Sequence, residues 1–126
     1  LQLRDNNPSI VYPGCWGLFG GSIEAGESPR EAITRELQEE ICYVPEEIHE
    51  FRQYRQQNLW INVCFGKIAA PVSELRLQEG MDLGLFPAKE ISKGQLFSQK
   101  LHAYFPVPSI LQEYFKDFLH WTKEDF

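Results

Sequence analysis

Residues 21–43 read GSIEAGESPREAITRELQEEICY, and their order predicts a glycine-rich loop followed by a helix. Ser28 suits the N-cap, Pro29 suits the first helical position, and Glu31 stands where a capping box requires a glutamate. A helical wheel places three apolar residues in one stripe: Ile33, Leu37 and Ile41. The segment therefore predicts a helix that begins at Pro29, packs on one side and ends before Pro45.

The face beside this apolar stripe carries carboxylates, from Glu36, Glu39 and Glu40. Six of the 18 acidic residues lie between Glu24 and Glu40 against two arginines, so this span carries −4 of the formal charge of −6. Like charges at helical spacing cost roughly a few tenths of a kcal/mol per pair, so helix stability alone does not favour the pattern. A solvated acidic face is the common explanation, but oxygen ligands in such a cluster also suit Mg²⁺ or Mn²⁺.

Composition limits the class of protein. A chain of 126 residues, 43% of them apolar, builds a single domain (1–126) with one core. The net charge of −6 argues against a basic stripe that would bind an extended nucleic acid. No apolar run approaches the roughly 18–20 residues that span a bilayer, so no membrane partner is expected.

The three cysteines, Cys15, Cys42 and Cys64, have no Cys-x-x-Cys spacing, which argues against both a disulfide framework and a structural zinc site. We therefore expect a cytoplasmic protein. The first residue is Leu1 and the only methionine is Met81, which indicates a truncated N-terminus.

Turn residues divide the chain into alternating strands and helices, which predicts an α/β or α+β layered domain. Besides the first helix, the predicted elements are the end of a strand over 1–4, an apolar run over 15–19, a hairpin of 51–57 with 59–69, a strand over 83–86, a helical turn over 88–91 and a helix over 109–121.

The spacing of charged residues adds a family resemblance. Five residues separate Gly21 from Glu27, seven separate Glu27 from Arg35, and Arg35 opens the unbroken string RELQEE over 35–40. This pattern resembles the Nudix box, the signature of the Nudix hydrolase superfamily. Residues 16–21, WGLFGG, are similar to the strand and glycine turn that enter the box, and the resemblance continues to about residue 91.

The resemblance implies a Nudix-type α/β/α sandwich with a mixed central sheet, here without one N-terminal strand. It also implies a metal-dependent pyrophosphohydrolase, in which water attacks a phosphorus of the P–O–P bridge in a nucleoside diphosphate linked to another moiety. Cations must neutralise such a substrate, so about one to three Mg²⁺ or Mn²⁺ ions are expected.

The box also implies roles for its glutamates. Glu36 and Glu40, one helical turn apart, are the expected metal-ligand pair, and Glu39 is a third ligand or orients the attacking water. A loop glutamate often joins such a site. Glu79 is the leading loop residue for general base or additional ligand, and Glu74 is the second.

Arg35 belongs with the catalytic residues of the box, and we expect it to fix a carboxylate by a bidentate pair. Glu27 either braces the loop or reaches a metal. Gly20 and Gly21 let the backbone approach the substrate, and the Gly21 carbonyl is an alternative metal ligand.

The chain departs from the box after Ile41, where Cys42 and Tyr43 replace the usual glycine and aliphatic residue. A glycine would end the helix in the left-handed conformation, which costs a cysteine about 1 kcal/mol. The helix end is therefore expected to differ from the family pattern.

Two other functions compete with catalysis: a catalytically silent Nudix-like module that binds a nucleotide to regulate another process, and an acidic interaction module with a chance match to the box. The first would show lost box glutamates, and none is lost here. The absence of an added recognition domain favours a small soluble nucleotide or diphosphate, and a homodimer remains open.

Overall fold

A computed structural model describes residues 1–125 of the chain, with side chains placed through Lys123. The strands are β1 (Gln2–Leu3), β2 (Trp16–Gly17), β3 (His49–Gln56), β4 (Leu59–Phe65), β5 (Asp82–Leu83), β6 (Gln95–Ser98) and β7 (Ala103–Pro106). The helices are α1 (Pro29–Ile41), α2 (Ala88–Ile91) and α3 (Ser109–Asp125), with a 3-10 turn at Val72–Glu74. The α+β class expected from the sequence is confirmed.

The chain forms two compact units. The first consists of Leu1–Leu18 and the chain from Glu79 onward. Its strands β2, β1 and β5 form an antiparallel ladder in that order, and β6 pairs antiparallel with β7. Leu3 and Trp16 are fully buried, and the Trp16 indole N–H donates to the Leu96 carbonyl over 3.0 Å. This long-range bond joins β2 to β6.

The second unit, Phe19–Gln78, contains α1 and the antiparallel hairpin of β3 and β4. Gln53 lies opposite Asn62 in this hairpin, and its amide nitrogen donates to the Asn62 side-chain oxygen over 2.9 Å. The turn between the strands places Gln57 at φ 56°. Helix α1 packs against β4, so the hairpin supports the helix that carries the glutamates.

The structure confirms the helix that begins at Pro29, the β3–β4 hairpin and the helical turn over Ala88–Ile91. Other boundaries differ from the prediction. The second hairpin strand ends at Phe65 and not at 69, the strand predicted over 83–86 is Asp82–Leu83, and the last helix continues to Asp125. The β6–β7 hairpin was not predicted. All strand pairs in residues 1–125 are antiparallel, so the parallel pair that a mixed sheet needs is not among them.

Within residues 1–125, no helix is both long and apolar enough to cross a membrane.

Candidate active site

The start of α1 is fixed as the sequence predicts. The Ser28 hydroxyl accepts the Glu31 backbone N–H over 3.1 Å, and the Glu31 carboxylate accepts the Ser28 N–H over 3.1 Å. This reciprocal capping box satisfies two of the backbone donors that a helix start leaves open. The capping box therefore fixes where α1 begins, and with it the direction in which each later residue of the helix points.

The end of α1 corrects one expectation. Cys42 takes the left-handed conformation, with φ 54° and ψ 33°, and its N–H donates to the Gln38 carbonyl over 3.2 Å. The helix thus ends as the glycine of the box would end it, although the residue is a cysteine. The backbone N–H groups of Arg76 and Gln78 donate to the last carbonyls of the helix, at Ile41 and Glu40, over 3.0 and 2.7 Å.

Arg35 forms the expected bidentate pair with Glu27. Its Nε donates to Oε2 over 2.9 Å and its Nη2 to Oε1 over 3.0 Å. Nη2 also reaches the Ser22 carbonyl, at 3.1 Å, and Glu27 Oε1 accepts the Glu24 backbone N–H over 2.8 Å. Glu27 therefore braces the loop that precedes α1, while Arg35 ties that loop to the helix.

These bonds shift both pKa values. The hydrogen bonds from Arg35, followed by the backbone N–H of Glu24, lower the pKa of the Glu27 carboxyl. Hydrogen bonding to Glu27 raises the pKa of Arg35, so the pair stays ionised at neutral pH.

The remaining guanidinium nitrogen of Arg35 faces the other glutamates of α1. Nη1 donates to Glu36 Oε1 over 2.9 Å and lies 3.5 Å from Glu39 Oε2. The Glu36 side chain is 16% exposed, whereas that of Glu39 is 56% exposed. Arg35 therefore fixes the more buried of the two carboxylates and holds the exposed one at longer range.

Glu40 occupies a different environment from the other two glutamates. It is 1% exposed, and its Oε2 accepts the Gly20 backbone N–H over 3.0 Å. The Glu36 carboxylate lies against Gly21, within 3 Å of the position where a Cβ of that residue would be. The three glutamates share one side of α1 but differ in exposure. Glu36 and Glu40 converge on the glycine turn, and Glu39 lies in solvent.

A family model described as NUDIX domain matches residues 3–105 of this chain. The chain belongs to the Nudix family. The loop and helix just described, with Arg35 and the glutamates of α1, lie within the matched segment.

Relatives of this Nudix domain match it over short segments. A protein named ADP-ribose pyrophosphatase from Methanocaldococcus jannaschii is 44% identical over 45 residues, 36% of this chain and 25% of the relative. A protein named nucleoside triphosphatase NudI is 52% identical over 31 residues in Escherichia coli (strain SE11) and in Shigella flexneri, 25% of this chain and 22% of each relative. The chain spans about a quarter of the length of the curated relatives it matches. No solved structure matches it.

The two loop glutamates lie in different units of this Nudix chain. Glu74 ends the 3-10 turn of the second unit and is exposed. Glu79 begins the second segment of the first unit and is also exposed. Of these two residues, Glu74 shares a compact unit with α1, and the bonds of Arg76 and Gln78 hold the segment after it to the helix end.

The Nudix family generally uses divalent metal ions, and Glu36 and Glu40 present carboxylates, the ligand type such ions prefer, at the Gly20–Gly21 turn. Glu36 Oε1 accepts from Arg35, and Glu36 Oε2 has no hydrogen-bond partner within the described chain. Among the described residues, no three His, Cys, Asp or Glu side chains form a group that could hold an ion alone. One or two protein carboxylates with water and substrate phosphates suffice for Mg²⁺, so Glu36 and Glu40 would hold it with the substrate.

One contact near the helix end is not predicted by the sequence. The Tyr43 hydroxyl accepts the Ala69 backbone N–H over 2.9 Å, which anchors the segment leading to Pro71 and Glu74. The signal was the tyrosine itself, because it stands where the Nudix box usually has an aliphatic residue without a hydroxyl.

Proposed function

We propose that this Nudix domain is a metal-dependent pyrophosphohydrolase that cleaves the P–O–P bridge of a nucleoside diphosphate linked to another moiety. The observation that carries the proposal is the convergence of Glu36 and Glu40 on the Gly20–Gly21 turn. Two carboxylates held at one turn provide hard oxygen ligands beside backbone that a phosphate group can approach.

Each box residue has a task in this proposal. Glu36 and Glu40 would hold the cation, and Arg35 would orient Glu36 through its 2.9 Å hydrogen bond. A bound divalent cation supplies charge neutralisation of the phosphate oxygens and lowers the pKa of water. Glu39, exposed at the edge of this pair, would be a third ligand or orient the water.

The reaction is a displacement at phosphorus. Water forms the new P–O bond, the bridging P–O bond breaks, and the leaving phosphate takes the bond's electrons. The proton of the water passes to a general base. Glu79 is our first candidate for that base and Glu74 the second. Glu74 gains support because it belongs to the same compact unit as α1.

Further proposals concern the cation, the domain organisation and the cellular location. We propose Mg²⁺ or Mn²⁺ as the cation, about one to three ions per site, a single domain over 1–126, and a cytoplasmic location. The names of the relatives put ADP-ribose and nucleoside triphosphates first among the substrates to test.

The experiment is a hydrolysis screen with Mg²⁺ and with Mn²⁺ over ADP-ribose, nucleoside triphosphates, nucleotide sugars and dinucleotides, with product phosphates measured by chromatography. We expect metal-stimulated turnover of at least one compound and its loss in Glu36→Gln. Ser9→Ala, a change in an exposed loop, is the control and should keep turnover.

Tight binding of a nucleotide without hydrolysis would replace this proposal by the regulatory module. Equal turnover by the original protein and Glu36→Gln would contradict the assigned site.

A further inference from the structure

The Gly20–Gly21 turn contains two glycines, and the structure gives them different reasons to be glycine. Gly20 has φ 143°, a conformation that side chains rarely allow, and its N–H is held by Glu40. Gly21 is not among the glycines with a positive φ, so a left-handed backbone does not account for a glycine there. Backbone conformation therefore explains Gly20 and leaves Gly21 unexplained.

The space around Gly21 supplies the explanation. A Cβ at this position would lie 2.5 Å from Glu36 Oε1, 2.7 Å from its Cδ and 3.0 Å from its Oε2. All three atoms belong to one carboxylate, and any side chain at position 21 would occupy its volume.

We propose that Gly21 is a positioning residue for Glu36. Its missing side chain leaves the room in which the carboxylate sits, while Arg35 holds the same carboxylate through the 2.9 Å bond to Oε1. The inference rests on the proposed function only in assigning Glu36 to a metal. It differs from a role in substrate binding, because it concerns the protein without a nucleotide.

A side chain at position 21 is expected to affect metal binding more than the stability of the fold. The overlap involves the end of a flexible side chain, which rotates away at little cost to the fold, but the rotated carboxylate no longer lies at the turn. At Gly66 the overlap is of another kind, because a Cβ there would lie 2.7 Å from the Glu47 backbone carbonyl oxygen. Neither glycine has a positive φ, so alanine introduces no left-handed strain at either position and tests the space around it.

The test compares Gly21→Ala with Gly66→Ala in two measurements: Mn²⁺ binding followed by electron paramagnetic resonance in the absence of nucleotide, and the thermal unfolding midpoint. We expect Gly21→Ala to weaken Mn²⁺ binding by about 10–100-fold, the range for residues that orient metal ligands, with a midpoint within about 4 °C of the original. Gly66→Ala should show the opposite: a lower midpoint and unchanged Mn²⁺ affinity of the folded protein.

A double variant gives the sharper criterion. If Gly21 acts through Glu36, adding Gly21→Ala to Glu36→Gln should weaken Mn²⁺ binding no further. Additive losses would overturn the inference, as would unchanged Mn²⁺ affinity of Gly21→Ala or failure of that variant to fold.

The two proposals fail in distinguishable ways. A protein that binds Mn²⁺ but hydrolyses none of the screened compounds contradicts the proposed function, and the Gly21→Ala titration still decides the positioning role. If the unsubstituted protein does not bind Mn²⁺, the positioning role for a metal ligand is overturned directly.

Discussion

Glu40 combines two properties that ordinarily exclude each other, since it is a carboxylate and is 1% exposed. Its Oε2 accepts the Gly20 N–H, and this hydrogen bond offsets part of the cost of burying the polar group. The side chain therefore has a structural task as acceptor, besides its proposed task as a metal ligand. Substitutions can separate these two tasks.

Glu40→Gln keeps the size and an acceptor oxygen but removes the charge. We expect turnover to fall by about a hundredfold or more with little change in stability. Glu40→Ala leaves the Gly20 N–H without its acceptor and should cost about 1–3 kcal/mol of unfolding free energy as well. Urea denaturation beside hydrolysis kinetics at saturating Mg²⁺ checks both; a fully active Glu40→Gln would refute the metal role.

Glu27 leads to a prediction about acid. Its pKa is lowered from the ordinary 4.5 by the hydrogen bonds of Arg35, so the folded state binds this proton less readily than the unfolded state. The pair therefore stabilises the fold above the unfolded pKa, and this contribution is lost as the pH falls through the lower, folded pKa. Glu27→Gln removes the titrating group, so its thermal midpoint should fall less steeply than that of the original protein below about pH 4.5.

Melting curves between about pH 6 and pH 3 measure the difference. Glu46→Gln, at an exposed position, provides the control and should follow the original curve. Parallel acid profiles for Glu27→Gln and the original protein would show that the Arg35–Glu27 pair does not contribute to stability.

At the scale of the element, the end of α1 holds a strained residue. Cys42 is exposed and has φ 54°, so its side chain gains little from packing while its backbone lies in the left-handed region. Cys42→Gly should raise stability by about 0.5–1 kcal/mol, because glycine takes this conformation freely but loses more chain entropy on folding. Chemical denaturation measures the gain.

Cys42→Ala is the matched control, since it removes the thiol and keeps the Cβ. We expect no gain from it. If alanine stabilised the protein as much as glycine, the thiol and not the backbone would be responsible.

The elements predicted from sequence are those with local causes. Ser28, Pro29 and Glu31 specify the start of α1 within four residues, and β-branched and aromatic residues specify β4. The β6–β7 hairpin lacks such a pattern, because its four-residue strands include Gln95, Ser98 and Pro106. Ser98 of this hairpin is fully buried, and its hydroxyl donates to Asp82 over 2.6 Å. The partner lies 16 residues away in the chain, so the local sequence does not reveal this contact.

In the candidate site, too, the sequence predicts some features and not others. Residue types and spacing single out Arg35 and three helix glutamates as candidates, and a helical wheel places all three on one side of α1 without giving their exposure. The wheel contains no information on the Gly20 N–H, which draws Glu40 into the interior from 20 residues away. Long side chains such as glutamate follow their hydrogen-bond partners, so the types were predictable and the directions were not.

At the scale of the whole molecule, most of the net charge of −6 lies in one segment of the chain. The span Glu24–Glu40 carries −4 of it, and within that span Arg35 contacts four carboxylates between 2.9 and 3.8 Å. A cation bound at Glu36 and Glu40, as proposed, would bind the folded chain and stabilise it. An acidic protein can therefore take a polyanionic substrate when the cation arrives with it, and stability should depend on that cation.

This dependence gives a prediction for the whole chain. A ligand that binds only the folded state stabilises it by about 2.7 kcal/mol at a hundredfold excess over its dissociation constant. We expect Mn²⁺ to raise the thermal midpoint of the original protein by several degrees over EDTA-treated samples, and not that of Glu36→Gln/Glu40→Gln. Potassium chloride at matched ionic strength controls for screening of surface charges. Equal Mn²⁺ shifts in both proteins would mean that the ion acts elsewhere on the acidic surface.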